Sequence, residues 1–127
     1  VHNYVGVEEY QVSAGEPIPE GDVDLRMEFE ATGEPDIPNG KGVPATVRLY
    51  YDDEQVGESD LPTTIPNMIG IVAGMSCGYD AVNAVSDAYR DRVPFTFTGD
   101  ITQVTVDVSG EPFVDQDAML ENILARE

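Results

Sequence analysis

The chain of 127 residues carries 25 acidic side chains against six basic ones, a formal charge of −19 at pH 7. That balance excludes partners gripped through Lys and Arg, namely nucleic acid, whose phosphates need cationic contacts, and anionic membrane surfaces, which repel an acidic protein. Hydrophobic residues make up 41% of the chain, enough at this length for one core, so the charge does not by itself imply disorder.

The opening VHNYVGVEEY has neither a basic n-region nor an apolar h-region, so no signal peptide is expected and the compartment read from it is cytoplasmic. A start at Val1 is read as that of a piece of a longer protein. Val5 and Val7 alternate in phase while Tyr10 and Val12 are shifted by one, which predicts a kinked or interrupted strand. Val23, Leu25, Met27, Phe29 and Ala31 then alternate against Asp24, Arg26, Glu28 and Glu30, the period of two of a strand with one packed and one solvated face. Thr46-Val47-Arg48-Leu49-Tyr50-Tyr51 repeats the pattern, and Asp52-Asp53-Glu54-Gln55 reads as a turn before Val56-Gly57-Glu58 returns, predicting a hairpin.

The weakly polar stretch 68–75 (MIGIVAGM) is far short of the ~20 residues of a membrane span. Phe95-Thr96-Phe97-Thr98 alternates, Gly99-Asp100 breaks the run, and residues 101–108 resume it with Val104, Val106 and Val108 on one face and Ile101 out of phase. At the end, Asp115 can cap a segment in which Met119, Leu120, Ile123 and Leu124 recur at helical spacing. Short strands punctuated by nine prolines and twelve glycines predict an all-β, antiparallel β-sandwich of the jelly-roll type over 1–112, with a short amphipathic helix over 113–127.

Candidate chemistry is sparse. The lone Cys77 cannot form an internal disulfide or a Cys-rich zinc site, and with no Lys, Arg or His nearby in sequence it reads as an inert buried thiol. His2 reads as an exposed bystander at a frayed end. Asp80, Asn83 and Asp87 place three oxygen donors in an irregular segment that could converge on Ca²⁺, although the spacing is not that of an EF-hand and Asx side chains in loops mostly bond their own backbone. Tyr50, Tyr51, Tyr79 and Tyr89 are candidates for a sugar-stacking platform or, more simply, for packing. Arg90-Asp91-Arg92 could grip an anion, but Asp87 and Asp91 stand ready to pair with these arginines. Residues 52–54 read as a solvated hairpin tip. No residue is assigned a catalytic, cofactor-binding or metal-binding role.

Four segments carry a resemblance. They are Val47-Arg48-Leu49-Tyr50-Tyr51-Asp52-Asp53-Glu54-Gln55-Val56-Gly57, Leu61-Pro62-Thr63-Thr64-Ile65-Pro66, Gly78-Tyr79-Asp80 through Val85-Ser86-Asp87-Ala88-Tyr89, and Pro94-Phe95-Thr96-Phe97-Thr98-Gly99-Asp100-Ile101 with Val104 and Val106. In order and spacing the chain resembles the C-terminal region of bacterial arylsulfatases, with Asp53 standing where that family often has a turn glycine. Asn3-Tyr4-Val5-Gly6 and Leu25-Arg26-Met27-Glu28-Phe29 fit the part just upstream, so the likeness covers about residues 3–109. The closing strands also resemble those of laminin-G and concanavalin-like sandwiches.

The resemblance implies a parent that hydrolyses sulfuric esters, with formylglycine and a divalent metal, calcium foremost, in a separate catalytic domain. It does not bring the family's C/S-x-P-x-R signature: beside Cys77, Tyr79 stands at the proline position and Ala81 at the arginine position. The single Lys41 and His2 also cannot supply the several Lys and His residues that hold sulfate in such enzymes. The expectation is a non-catalytic accessory domain, without a cofactor of its own, that covers or shapes the catalytic domain of the same chain. The alternative is a carbohydrate-binding sandwich. A homo-oligomer through an exposed edge strand is a further expected arrangement, and a −19 surface with one Lys suits a salt-rich setting.

Overall fold

The computed structural model describes residues 1–66, 74–80 and 83–108. Strand β1 (His2–Tyr4) pairs antiparallel with β2 (Glu8–Tyr10), His2 facing Tyr10. The turn between them runs through Val5 and Gly6, both at positive φ (47° and 76°), and the Asn3 side chain closes it by accepting the Gly6 N–H at 2.7 Å. This turn is the physical cause of the phase shift between Val5/Val7 and Tyr10/Val12: the predicted interruption is a tight hairpin.

The main sheet is antiparallel, in the order β3 (Leu25–Ala31), β4 (Ala45–Tyr51), β5 (Glu54–Leu61). A 3₁₀ turn over Ile37–Asn39 lies in the β3–β4 connection, closed by a bridge between Asp36 and Lys41 and ended by Gly40 at φ 71°. Strands β4 and β5 form the predicted hairpin. Its tip is Asp52 and Asp53; Asp52 takes φ 54° and clasps the start of β3, donating its N–H to Asp24 O (2.8 Å) and accepting the Asp24 N–H at Oδ1 (3.0 Å). Asp53 is the solvated residue, and Asp52 is a structural one.

One face of this sheet is polar and crossed by charge-assisted bonds. Arg48 reaches Glu30 on β3 (2.7 Å) and Glu58 on β5 (2.9 Å), and this pairing holds its guanidinium above its ordinary pKa. Arg26 lies 4.1 Å over the Tyr50 ring and 3.3 Å from Glu28. The opposite face is apolar. Ala45, Val47 and Leu61 are buried there, with Tyr10 and Val12 packed against them.

The register slips between Leu49 and Tyr50, from Gly57 to Gln55, so that Val56 stands outside the ladder. Its carbonyl accepts the Gly15 N–H at 3.0 Å, and a Cβ on Gly57 would stand 2.6 Å from the Ser13 carbonyl oxygen. Glycine at 57 is therefore what lets the 13–15 segment lie directly on β5.

Strands β6 (Tyr79–Asp80) and β7 (Phe95–Thr96) form a third antiparallel pair, joined through a 3₁₀ segment, Asp87–Arg92, and a cis Val93–Pro94 peptide. Among the described residues the chain is thus antiparallel β with little helix and no closed barrel.

Three expectations change. All seven residues of β3 are exposed, so its predicted packed face has no cover among the described residues. Residues 101–108 form no strand ladder among the described residues, and β7 stops at Thr96. The helix expected over 113–127 lies outside the described residues. Among those that are described, no helix is long and apolar enough to cross a membrane.

Candidate functional site

The β6–β7 pair is built around a run of aromatic residues that the alternation Phe95-Thr96-Phe97-Thr98 places on one short strand and its extension. The Phe97 N–H donates to Gly78 O (2.7 Å), prolonging the pairing by one bond beyond β7. Gly78, at φ 80°, turns the chain into β6. Tyr79, Phe95 and Phe97, with Asp80, Thr96 and Thr98, line an open, largely apolar cavity of about 510 Å³. The three rings are close to half exposed (49%, 44% and 50%). Large aromatic surface left in water at one spot is the kind of feature that marks an interaction site.

The groove is held in place from behind. Tyr89 stacks on Phe95 with ring centroids 4.7 Å apart and donates its hydroxyl to Asp80 Oδ2 at 2.7 Å. Burial first, and then this bond to a carboxylate, raise the Tyr89 pKa. Asp80 Oδ2 also accepts the Val85 N–H at 3.0 Å. Arg92 lies 5.1 Å from the Phe95 ring centre and donates to the Ala88 carbonyl.

A second cluster ties the groove to the N-terminal hairpin. Ser86 is 2% exposed and donates to Glu9 Oε2 at 2.9 Å, while the Asp87 N–H donates to Glu9 Oε1 at 2.9 Å. The Ser86 hydroxyl in turn accepts the Ala88 N–H at 3.2 Å, capping the 3₁₀ segment. Asn3 adds a bond to the Val85 carbonyl (2.9 Å). The bonds from Asp87 N–H and then Ser86 hold the Glu9 carboxyl below its ordinary value.

The residues singled out in the sequence are distributed differently from expectation. Of Asp80, Asn83 and Asp87, two are engaged by other groups: Asp80 by Val85 and Tyr89, and Asp87 by Arg90. No group of three or more His, Cys, Asp or Glu able to hold a metal occurs among the described residues. Cys77 is exposed, because it sits in the turn before Gly78 and not in a strand interior, which corrects its reading as a buried thiol.

His2 belongs to β1 and stacks on Tyr10 with centroids 6.3 Å apart. Its Nε2 is buried without a hydrogen-bond partner among the described residues, and burial lowers its pKa, so it is not a frayed bystander. The four tyrosines do not share a platform. Tyr50 bonds Glu28 on the polar face, Tyr51 bonds the Glu16 carbonyl from the other face, Tyr79 lines the groove and Tyr89 supports it. Of the arginine pair, Arg90 joins the expected ion pair and Arg92 turns to Phe95 instead.

Sequence reasoning missed the roles of Phe95, Phe97, Glu9 and Ser86. The two phenylalanines carried a signal, being large apolar residues in phase on a segment too short to bury them. Glu9 carried none, since one acid among 25 is indistinguishable from the rest until its partner 77 positions away is placed. No family model, no curated protein and no solved structure matches the chain.

Proposed function

We propose that this chain is a non-catalytic accessory domain of an arylsulfatase, a jelly-roll sandwich element that meets the catalytic domain of the parent protein through its aromatic groove. The observation that carries the reading is the half-exposed trio Tyr79, Phe95 and Phe97, of which Phe95 is stacked by Tyr89. An exposed aromatic surface is suited to being covered, and interfaces draw most of their affinity from such anchors. The segments resembling the arylsulfatase C-terminal region supply the identity of the partner. The charge of −19 supports the division of labour, because a sulfate ester is repelled by such a surface and has to be gripped elsewhere.

The deciding experiment has two arms. The chain alone, offered a chromogenic aryl sulfate, is expected to give no turnover; turnover abolished by Cys77→Ser overturns the reading. In the parent protein, Phe97→Ala is expected to lower the melting temperature of the catalytic domain, and an unchanged melt removes the groove as the contact.

A second reading, a carbohydrate-binding module, is favoured by one specific feature: the groove is lined by Tyr79, Phe95 and Phe97 together with Thr96 and Thr98, residue types that stack on and hydrogen-bond a neutral sugar ring. Binding on an array of neutral glycans that Tyr79→Ala abolishes would select this reading over the first.

A further inference from the structure

We infer that the Asn39–Gly40 peptide is a deamidation site, slowed by the clasp of Asn39 on Asp36 and, once it reacts, opening the turn that this clasp closes. Asn39 is the one asparagine of the chain that precedes a glycine. Ring closure needs the backbone nitrogen of the next residue to reach the side-chain carbonyl carbon, and a residue without a Cβ obstructs that approach least. Asn39 and Gly40 are both exposed, so water reaches the peptide.

The Gly40 N–H loses its proton to solvent base, and the nitrogen attacks Asn39 Cγ. The tetrahedral centre expels Nδ2, which takes a proton from water and leaves as ammonia, and a cyclic imide remains. One water then adds to either imide carbonyl. Breaking the bond from nitrogen to Cγ gives an ordinary aspartate; breaking the bond to the main-chain carbonyl carbon gives an isoaspartyl link, with the backbone routed through the side chain. The sum is amide plus water to carboxylate plus ammonium, with no other reactant.

The folded turn opposes both steps. The Gly40 N–H donates to the Ile37 carbonyl at 2.9 Å, which engages the hydrogen that has to leave. Asn39 Nδ2, the leaving group, donates to both oxygens of Asp36, at 3.0 and 2.9 Å. The reaction removes that hydrogen and that nitrogen, so each of these bonds is given up first, and local opening of the turn sets the rate. Afterwards the same geometry works against the turn: a carboxylate stands where the amide donor stood, facing the Asp36 carboxylate, and like charges at that range repel. The turn also holds the paired bonds between Asp36 and Lys41, both 2.9 Å, and its Gly40 carbonyl accepts the Tyr4 hydroxyl at 2.5 Å. Opening it therefore loosens the anchorage of the β1–β2 hairpin on the β3–β4 connection, and it does so one way, because the amide does not re-form in water.

The whole chain is incubated in mildly alkaline buffer, once folded and once in guanidinium chloride, and conversion at each asparagine is read by peptide mapping with mass spectrometry. In denaturant Asn39 is expected to convert ahead of Asn3 and Asn83, which precede Tyr4 and Ala84, and its failure to do so overturns the site. In the folded chain its conversion is expected to be at least about tenfold slower, the factor that a required local opening imposes, and equal rates overturn the protection. Asp36→Ala is expected to speed conversion in the folded chain, and an unchanged rate removes the clasp as its cause. The consequence is read on Asn39→Asp, which is expected to melt below both the native chain and Asn39→Ala at neutral pH, since only the aspartate adds a like charge. A melt no lower than that of Asn39→Ala overturns the opening of the turn.

Discussion

Two halves of one sheet face make an instructive pair. On β4 and β5, Ala45, Val47 and Leu61 are 1–5% exposed, and one strand over, on the same face, Leu25, Met27 and Phe29 are 49–65% exposed. The two halves are in register, Met27 opposite Leu49 and Phe29 opposite Val47, and β3 alternates as well as β4 does. What separates them is the cover. Tyr10 and Val12 pack over the β4–β5 side, the 13–15 segment bonds and abuts β5 through Val56 and Gly57, and nothing among the described residues continues that cover to β3. A half-buried strand pattern thus states which face is available for burial, and a neighbouring segment decides whether burial happens.

That contrast can be tested by unequal damage. Leu61→Ala on the covered half is expected to cost about 2–4 kcal/mol, the loss of transfer energy plus an unfilled cavity, measured by urea or thermal unfolding. Gly57→Ala, a single methyl aimed at the Ser13 carbonyl, is expected to cost about 1–3 kcal/mol by prising the cover away. If it is instead neutral, the 13–15 segment does not lie on β5. Ser86→Ala, outside the sheet, removes a buried hydroxyl that both caps the 3₁₀ segment and bonds Glu9, with an expected loss of about 1–2 kcal/mol. Met27→Ser on the uncovered half sits last, within about 0.5 kcal/mol of no change for the monomer, as for other exposed positions. A loss comparable to that of Leu61→Ala would mean that β3 is covered after all.

The link between the two hairpin regions has its own pH signature. Because bonds from Asp87 N–H and Ser86 depress the Glu9 pKa, the folded chain keeps this carboxylate ionised to lower pH than the unfolded chain does. Its contribution is fully present above the ordinary value of 4.5 and is lost as pH falls through the depressed one. The melting-temperature gap between the native chain and Glu9→Gln is therefore expected to be constant near neutrality and to close below that value. A gap that persists unchanged into acid removes the carboxylate bond as its cause.

Legibility in the sequence followed the range of the interaction. The β4–β5 hairpin was readable from Val47, Leu49 and Asp52-Asp53, because alternation and turn chemistry act within a few residues. The β1–β2 turn was half readable: the phase shift between Val7 and Tyr10 was plain, but its form required the positive φ of Val5 and Gly6. The groove was less so. Tyr79 was a candidate, while Phe95 and Phe97 read as ordinary strand residues until β6 and β7 were set side by side.

By itself the sequence determined the antiparallel β character, the hairpin and the sign of the net charge, all of which depend on local periodicity or on summed charge. Only the tertiary structure decided that β3 lies uncovered, that Cys77 faces solvent while His2 Nε2 is buried, that Asp80 and Asp87 are engaged by Tyr89 and Arg90, and that Glu9 holds Ser86. The physical reason is the same in each case. Burial and pairing are properties of two segments brought together, and neither segment carries a record of the other.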